Sequence, residues 1–206
     1  MRTGDSNYQL SVLLLAAGGG RRIGGNKPLT RFGGRTLLER AVEQIRLGTG
    51  SNPIVVTGAN LAGVLASLER LGCALVHNRD WKRGMGSSIA TGIRALAPQT
   101  THCMLALVDQ PLIDPKNLRD LLAASRGEQK AIVVSEFGAA SGPPAIFPRS
   151  CFSALAELTG DIGAKNVVRR HHRVVPVRVP GAAHDVDDPG ALAKVEALLE
   201  AGLRGV

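Results

Sequence analysis

Residues 10–16 read LSVLLLA and are followed by AGGG at residues 17–20, and this segment gives the clearest indication of the fold. A predominantly apolar run of this length that ends at glycines is typical of a β-strand buried on both faces. Such strands occur in parallel sheets that helices cover on both sides. The sequence therefore predicts that this strand belongs to such a sheet and carries a glycine-rich loop at its carboxyl end.

Strand and helix patterns alternate along the rest of the chain. Helical spacing of apolar residues predicts helices at residues 36–47, 59–71, 87–96, 115–125, 151–158, 162–170 and 190–201. Short apolar or alternating runs predict strands at residues 53–57, 74–77, 103–108, 131–134 and 174–179. The alternation breaks at Ser-Gly-Pro-Pro (141–144), and residues 145–147 are predicted to pair antiparallel. The pattern predicts one three-layer α/β/α Rossmann-like domain over residues 1–206, mostly parallel, with an antiparallel element in its C-terminal half.

The composition limits the possible partners. The formal net charge of +8 favours an anionic partner, but the lysines and arginines are scattered and aromatic residues are few. A small phosphate-rich substrate is therefore expected rather than nucleic acid. The three cysteines form neither a disulfide framework nor a metal motif. Because no apolar run reaches the roughly 18 residues of a membrane span and residues 1–9 lack a signal-peptide pattern, no membrane contact and a cytoplasmic location are expected.

The loop from Gly18 to Lys27 combines glycines with positive charge. It holds five glycines and three cations directly after the first predicted strand. Glycine lets backbone N–H groups turn toward an anion, and Arg22 and Lys27 can neutralise a phosphate chain. The spacing fits neither a Walker A loop nor the dinucleotide fingerprint of a Rossmann fold. The loop is predicted to bind phosphate, and the structural alternative is a flexible turn with surface arginines.

Acidic residues occupy two further loops that follow strands. Asp109 comes directly after the strand at 103–108, at the sheet edge where ligands bind in folds of this kind. One or two carboxylates together with phosphate oxygens are a usual Mg²⁺ site. Helix capping is the alternative role for Asp109, although Asp114 is better placed for it. In the later loop Asp187 or Asp185 can bind the metal while Asp188 caps the last helix.

The glycine-rich loop also carries a family resemblance. Leu15-Ala16-Ala17-Gly18, Arg22-Ile23-Gly24 and Lys27 resemble the LAAGxSxRMGxxK signature of the MobA-like nucleotidyltransferases. Within that superfamily the chain is most similar to the molybdenum-cofactor cytidylyltransferases (MocA-like). The similarity continues, in the same order and spacing, through residues 78–88, 109–112, 142–144, 160–165 and 185–189. It implies the nucleotide-diphospho-sugar transferase type of Rossmann-like fold.

The resemblance also implies a role for each site residue. Arg22 and Lys27 would be catalytic, Asp109 and Asp187 would bind Mg²⁺, and Gly142 and Pro144 would contact the acceptor. Gly86 and Ser88 would read the nucleotide base, although from the sequence Ser87 or Ser88 could equally cap the following helix. The remaining nucleotide-binding positions form the loop: Leu15, Ala16, Ala17, Gly18, Gly19, Gly20, Arg22 and Lys27.

The activity implied by the resemblance is transfer of a nucleoside monophosphate, with release of pyrophosphate, to the phosphate of a molybdopterin-type cofactor. CTP is expected as the donor NTP, because Ala17 would crowd a purine more than the glycine of the GTP-using relatives. A molybdoenzyme would receive the product. The alternatives are a cytidylyl- or uridylyltransferase that acts on a sugar or polyol phosphate, and a non-catalytic binding protein. The chain departs from the family at Gly20, where serine is usual, at Ile23 and at Asp188.

Overall fold

The computed structural model describes residues 7–59 and 61–201. Its strands are β1 (Leu10–Ala16), β2 (Arg31–Phe32), β3 (Arg35–Thr36), β4 (Ile54–Thr57), β5 (Ala74–His77), β6 (His102–Leu107), β7 (Ile132–Phe137), β8 (Ala140–Pro148) and β9 (Val174–Arg178). Its α-helices are α1 (Leu37–Thr49), α2 (Leu61–Leu71), α3 (Met85–Arg94), α4 (Pro115–Gly127), α5 (Phe152–Ala156), α6 (Lys165–Arg170) and α7 (Pro189–Glu200). Asn60, inside the predicted helix at 59–71, lies outside the described residues.

Seven strands form one sheet in the order β5-β4-β1-β6-β8-β7-β9. Strand β1 pairs in parallel with β4 on one side and β6 on the other. Strand β8 runs antiparallel to both β6 and β7, and β9 returns parallel to β7. The predicted fold class, mostly parallel with an antiparallel element in the C-terminal half, is confirmed.

The side chains of β1 alternate between two layers of core. Val12 and Leu14 are buried with apolar residues of α1, α2, α4 and α7. Leu13 and Leu15 are buried on the opposite face with residues of α3 and α5. This strand is therefore covered on both faces, as its apolar run predicts.

The antiparallel strand β8 is longer than the sequence predicts. It begins at Ala140 and includes Gly142, Pro143 and Pro144, where the glycine and prolines indicated a break. The ladder with β7 accommodates them through a register shift between Val134 and Ser135. Pairing with β7 on either side of the two prolines, and with β6 from Ala145 onward, thus outweighs the local preference for a turn.

Helix ends follow their capping residues closely. The side chain of Asp114 accepts from the Asn117 N–H at the start of α4, and that of Asp188 accepts from the Ala191 N–H at the start of α7. Both caps were predicted. Helix α3, in contrast, begins at Met85 after Gly84, two residues before the predicted start, so Ser87 lies inside the helix and does not cap it. None of the helices of the described residues is long and apolar enough to cross a membrane.

Candidate active site

An open cleft of about 450 Å³ lies at the carboxyl ends of β1 and β6. This is the edge where ligands bind in open α/β sheets. The predicted site residues that line it are Leu15, Ala16, Ala17, Gly18, Gly20, Arg22, Lys27, Ser88, Asp109 and Asp187. Predicted residues from four separate segments of the chain therefore share one cleft.

The glycine-rich loop is folded back on itself at Gly20. The Gly20 carbonyl oxygen accepts from the backbone N–H groups of Ile23 (3.0 Å) and Gly25 (2.9 Å). Gly20 has a φ of 54°, and a Cβ added there would lie 2.8 Å from the Cβ of Lys27. Glycine is therefore required at this position by both its backbone conformation and its contact with Lys27.

Lys27 joins the two predicted metal-binding carboxylates. Its Nζ lies 2.8 Å from Oδ2 of Asp109 and 2.6 Å from Oδ1 of Asp187. A guanidinium nitrogen of Arg22 lies 3.8 Å from the other oxygen of Asp187, and the Arg22 side chain is mostly exposed. Two cations of the loop thus face two carboxylates that come from the loop after β6 and the segment after β9.

The charges in this group shift each other's titration. Burial disfavours the charged ammonium of Lys27, but Asp109 and Asp187 outweigh it, so the pKa of Lys27 is raised above its ordinary value. The hydrogen bond from Lys27 lowers the pKa of Asp187 below its usual value and outweighs the partial burial of the Asp187 carboxyl group, which acts in the opposite direction. The charge of Arg22 lowers this pKa further. Both groups are therefore charged at neutral pH.

Asp185 lies beside this group but does not share its cleft. It does not line the cleft, whereas Asp187 does. Asp185 is an exposed residue, yet its carboxyl group is partly desolvated. This desolvation is the main reason that its pKa is raised to about 6, and the negative charge of Asp109 raises the pKa further. The Val186 N–H donates to the Asp109 carbonyl oxygen at 2.8 Å, which fixes the segment next to Asp109. Of the two candidates, Asp187 is the one directed at the cleft.

The two predicted base-reading residues have different surroundings. Ser88 is buried, lines the cleft, and its hydroxyl accepts from Nδ2 of Asn78 at 3.0 Å. The Gly86 N–H instead donates to the Gly160 carbonyl oxygen at 2.8 Å, and Gly86 does not line the cleft. Gly86 therefore packs against the loop at residues 159–161. No local pattern in the sequence indicates this contact.

The acceptor-contacting residues predicted by resemblance lie away from the cleft. Neither Gly142 nor Pro144 lines it; Pro144 is buried and lines a second cavity of only about 20 Å³. Leu107 lines both spaces, so the second cavity adjoins the cleft. The structure thus brings together the residues predicted to bind nucleotide and metal, except Gly19 and Gly86, and places Gly142 and Pro144 outside the cleft lining.

Sequence reasoning assigned no role to nine lining residues, three of which lie together on one side of the cleft. Trp81, Met85 and Asp161 all border the cleft on the side of α3. The signal was present, because residues 78–88 and 160–165 carry the family resemblance, but no isolated motif assigns these side chains a role.

The carboxylates fit a hard divalent cation. Oδ1 of Asp109 is buried and has no hydrogen-bond partner among the described residues, so one oxygen is available for a ligand. No group of three potential metal-binding side chains occurs in the part of the chain that the structure describes. Two carboxylates beside a phosphate-binding loop suit a cation that takes its other ligands from phosphate oxygens and water.

The comparison with known proteins decides the family. Residues 12–174 match the family described as the MobA-like NTP transferase domain. The chain belongs to this family. As a MobA-like NTP transferase domain it has the family and fold of a nucleotidyltransferase, and the family implies an NTP substrate.

Several relatives of this MobA-like domain extend over most of its length. Nicotine blue oxidoreductase of Paenarthrobacter nicotinovorans is 35% identical over 175 residues, 81% of this chain and 85% of that protein. Purine catabolism protein PucB of Bacillus subtilis is 27% identical over 200 residues, 89% of this chain and 94% of that protein. The crystal structure of Rv0371c from Mycobacterium tuberculosis has a TM-score of 0.80 and 26% identity, and covers 93% of this chain and 100% of that one. Rv0371c has also been solved as a complex with manganese.

Proposed function

We propose that the chain is a single-domain, Mg²⁺-dependent nucleotidyltransferase that moves CMP from CTP to the phosphate of a molybdopterin-type cofactor. The observation that carries the proposal is the contact of Lys27 with both Asp109 and Asp187 beside the glycine-rich loop. Loop, cation and paired carboxylates are the parts that phosphoryl-type transfer requires. No nucleophilic side chain is needed, because an acceptor phosphate oxygen attacks the α-phosphorus and the bond to the β-phosphate breaks, which releases pyrophosphate.

The loop holds the donor by its phosphates. Backbone N–H groups of residues 18–20 and the exposed guanidinium of Arg22 contact the β- and γ-phosphates. Lys27 is nearly buried, with its side chain 13% exposed, so its charge acts in a partly desolvated place. From there it stabilises the charge that develops on the α-phosphate oxygens during transfer.

Asp109 and Asp187 hold the metal in this proposal. The unpaired Oδ1 of Asp109 and the cleft-facing carboxylate of Asp187 supply oxygen ligands. The manganese complex of Rv0371c supports a divalent cation in a protein of this fold and similar sequence. Mg²⁺ held by these carboxylates would supply positive charge that offsets the charge of the phosphate chain. Lys27 must then shift its contacts from the carboxylates toward the phosphate.

The preference for CTP rests on Ala17 and Ser88. Ala17 is 5% exposed and lines the cleft at the end of β1, so its methyl group occupies space that a larger purine would use. The Ser88 hydroxyl lies at the same cleft and is held by Asn78. A pterin acceptor, its contacts with Gly142 and Pro144, and delivery to a molybdoenzyme stay predictions from the family resemblance.

Release of pyrophosphate tests the proposal directly. We expect turnover with CTP and a molybdopterin acceptor, slower turnover with GTP, and none without a divalent cation. Turnover with a sugar or polyol phosphate would favour that class of acceptor instead. Binding of CTP without turnover on any acceptor would favour a non-catalytic nucleotide-binding protein.

One relative favours a second candidate. A protein named nicotine blue oxidoreductase shares 35% identity over most of both chains, so an oxidoreductase that uses the same cleft is the second candidate. Reduction of a redox dye by an added reductant, at a rate unchanged by the Asp109→Asn and Asp187→Asn variants, would support the second candidate against the first.

A further inference from the structure

Asp161 is an acidic residue of the cleft that the proposed transfer does not use. Asp109 and Asp187 also line the cleft, but both contact Lys27. Asp161 is exposed at the rim of the cleft and has no hydrogen-bond or ion-pair partner within residues 7–59 and 61–201. A free carboxylate repels a triphosphate, so it suits a part of a ligand that carries hydrogen-bond donors and no negative charge.

Glycines bring this carboxylate into position. The Gly86 N–H donates to the Gly160 carbonyl oxygen, and a Cβ at Gly86 would lie only 2.8 Å from the Thr159 backbone. At Gly84 an added Cβ would lie 2.3 Å from Oδ1 of Asp161. The loop at 159–161 is therefore packed directly on the turn at 84–86, and the Asp161 carboxyl group rests on Gly84.

Trp81 presents an aromatic surface from the same turn. The Gly84 N–H donates to the Trp81 carbonyl oxygen at 3.1 Å, and the half-buried indole lines the cleft. An added Cβ at Gly19 would lie 3.2 Å from the ring atoms Cη2 and Cζ3 of Trp81, and one at Gly58 would lie 2.4 Å from its Cβ. The indole is thus held against the glycine-rich loop, with Lys82 Nζ 5.8 Å from its ring centroid, and it lines the same cleft as Asp161.

This pair lies on the other side of the cleft from the Lys27 group. Trp81 follows β5 at the sheet edge, and Asp161 follows α5, which packs on α3. Asp109 follows β6, on the opposite side of β1 in the sheet order. A ligand whose phosphates contact Lys27 would extend a ring toward Trp81 and Asp161.

We propose that Trp81 and Asp161 form a subsite for a planar heterocycle with an exocyclic amino group. Trp81 contacts the ring face and Asp161 accepts a hydrogen bond from the amino N–H. The inference rests on the proposed function, in which the cleft holds an NTP and a phosphorylated acceptor. Both cytosine and an aminopterin carry this chemistry, and binding experiments separate the two sources.

Binding of CTP and of UTP tests whether the subsite takes the base of the nucleotide. Cytosine carries an amino group where uracil carries a carbonyl oxygen. Calorimetric titration of the full chain is expected to show tighter binding of CTP. The Asp161→Asn variant is expected to reduce the preference for CTP by about tenfold, the equivalent of one charged hydrogen bond, because its side-chain amide can donate to the UTP carbonyl oxygen. Asp120→Asn, on the exposed face of α4, removes the same charge outside the cleft and should change nothing.

Binding of free pterin, which carries a 2-amino group, tests whether the subsite takes the ring of the acceptor. If Asp161 reads the acceptor, Asp161→Asn leaves the ratio of CTP to UTP affinity unchanged and weakens pterin binding by about tenfold. Trp81→Ala weakens binding of the same ring, and Trp81→Phe retains most of it because the aromatic face remains. Trp81 is the sole tryptophan of the chain, so its fluorescence reports the same event in the wild type.

The inference is overturned if folded Asp161→Asn changes neither the CTP to UTP ratio nor pterin affinity by more than about twofold. It is also overturned if the wild type binds none of these probes. Failure of the proposed function looks different: the wild type releases no pyrophosphate with any acceptor, while the dependence of ring binding on Asp161 persists. Circular dichroism and thermal unfolding establish that each variant is folded.

Discussion

Lys27 and Asp187 are 160 positions apart in the chain, and Nζ of the one lies 2.6 Å from Oδ1 of the other. The contact joins the glycine-rich loop to the last segment before α7 at one side of the open cleft. Asp109 completes the group from the loop after β6. Without a substrate the lysine thus neutralises the two carboxylates whose charges would otherwise repel each other.

Loss of Lys27 is expected to abolish transfer. Lys27→Ala should lower kcat by about 100- to 1000-fold, because a charge stabiliser of the transition state is removed from a partly desolvated site. Pyrophosphate release measures the effect. Lys116→Ala removes an exposed lysine paired with Asp120 on α4 and serves as the control, with wild-type turnover expected. A Lys27→Ala enzyme with more than about a tenth of wild-type kcat would contradict the assignment.

The proposed metal site includes Asp187 and does not include Asp185. Asp109→Asn and Asp187→Asn are each expected to weaken Mn²⁺ binding by at least about tenfold, since each removes a charged oxygen ligand. Asp185→Asn, two residues from Asp187 but outside the cleft lining, should retain wild-type affinity. Electron paramagnetic resonance of free and bound Mn²⁺ gives the affinity. Loss of binding in Asp185→Asn alone would reverse the roles of the two residues.

The Ala17 methyl group is expected to control the size of the base. Ala17→Gly should raise kcat/KM for GTP relative to CTP by about tenfold, because a methyl group in a packed pocket discriminates by roughly 1–3 kcal/mol. Competition between the two nucleotides in the pyrophosphate assay measures the ratio. An unchanged ratio in a folded variant would show that the base does not approach Ala17.

A serine at position 20, the residue that is usual in the family, is expected to destabilise this chain. Gly25→Ser should destabilise the fold by about 1 kcal/mol, because serine is unfavourable in the left-handed backbone conformation of Gly25. Gly20→Ser should destabilise it by more. Both glycines have positive φ, but only at Gly20 would the new Cβ meet Lys27. Urea unfolding compares the two, and equal losses would mean that Lys27 moves aside at no cost.

His102 is expected to make stability depend on pH. It is 4% exposed, its Nε2 donates to the Gln129 carbonyl oxygen, and burial lowers the pKa of its ring below the usual 6.5. The unfolded chain therefore binds a proton first as the pH falls. Stability is fully present above pH ~6.5 and declines below it until the folded ring is also protonated.

The free energy of unfolding between pH 7.5 and 5 checks this effect. His102→Gln should show a shallower decline with falling pH than the wild type, whatever its overall stability. His172→Gln changes an exposed histidine and should keep the wild-type slope. Parallel curves for His102→Gln and the wild type would exclude a role for this ring.

Much of the fold could be predicted from the sequence because its signals are local. The apolar run of β1 specifies a strand covered on both faces, and Asp114 and Asp188 cap helices through contacts three residues away. Strand β8 is the exception, since Pro143 and Pro144 are accommodated by a register shift in its ladder with β7, while the residues that follow them pair with β6.

The order of motifs along the chain was enough to predict the family, a phosphate-binding role for the glycine-rich loop, and the carboxylates that lie near it. The packing of distant segments was needed to show that Asp187 rather than Asp185 faces the cleft, that Gly86 packs on the loop at residues 159–161, and that Asp161 and Trp81 line the same cleft. The reason is physical. Capping and periodicity act over a few residues, whereas contacts between distant segments depend on the order of strands in the sheet and on how closely glycines let the loops approach.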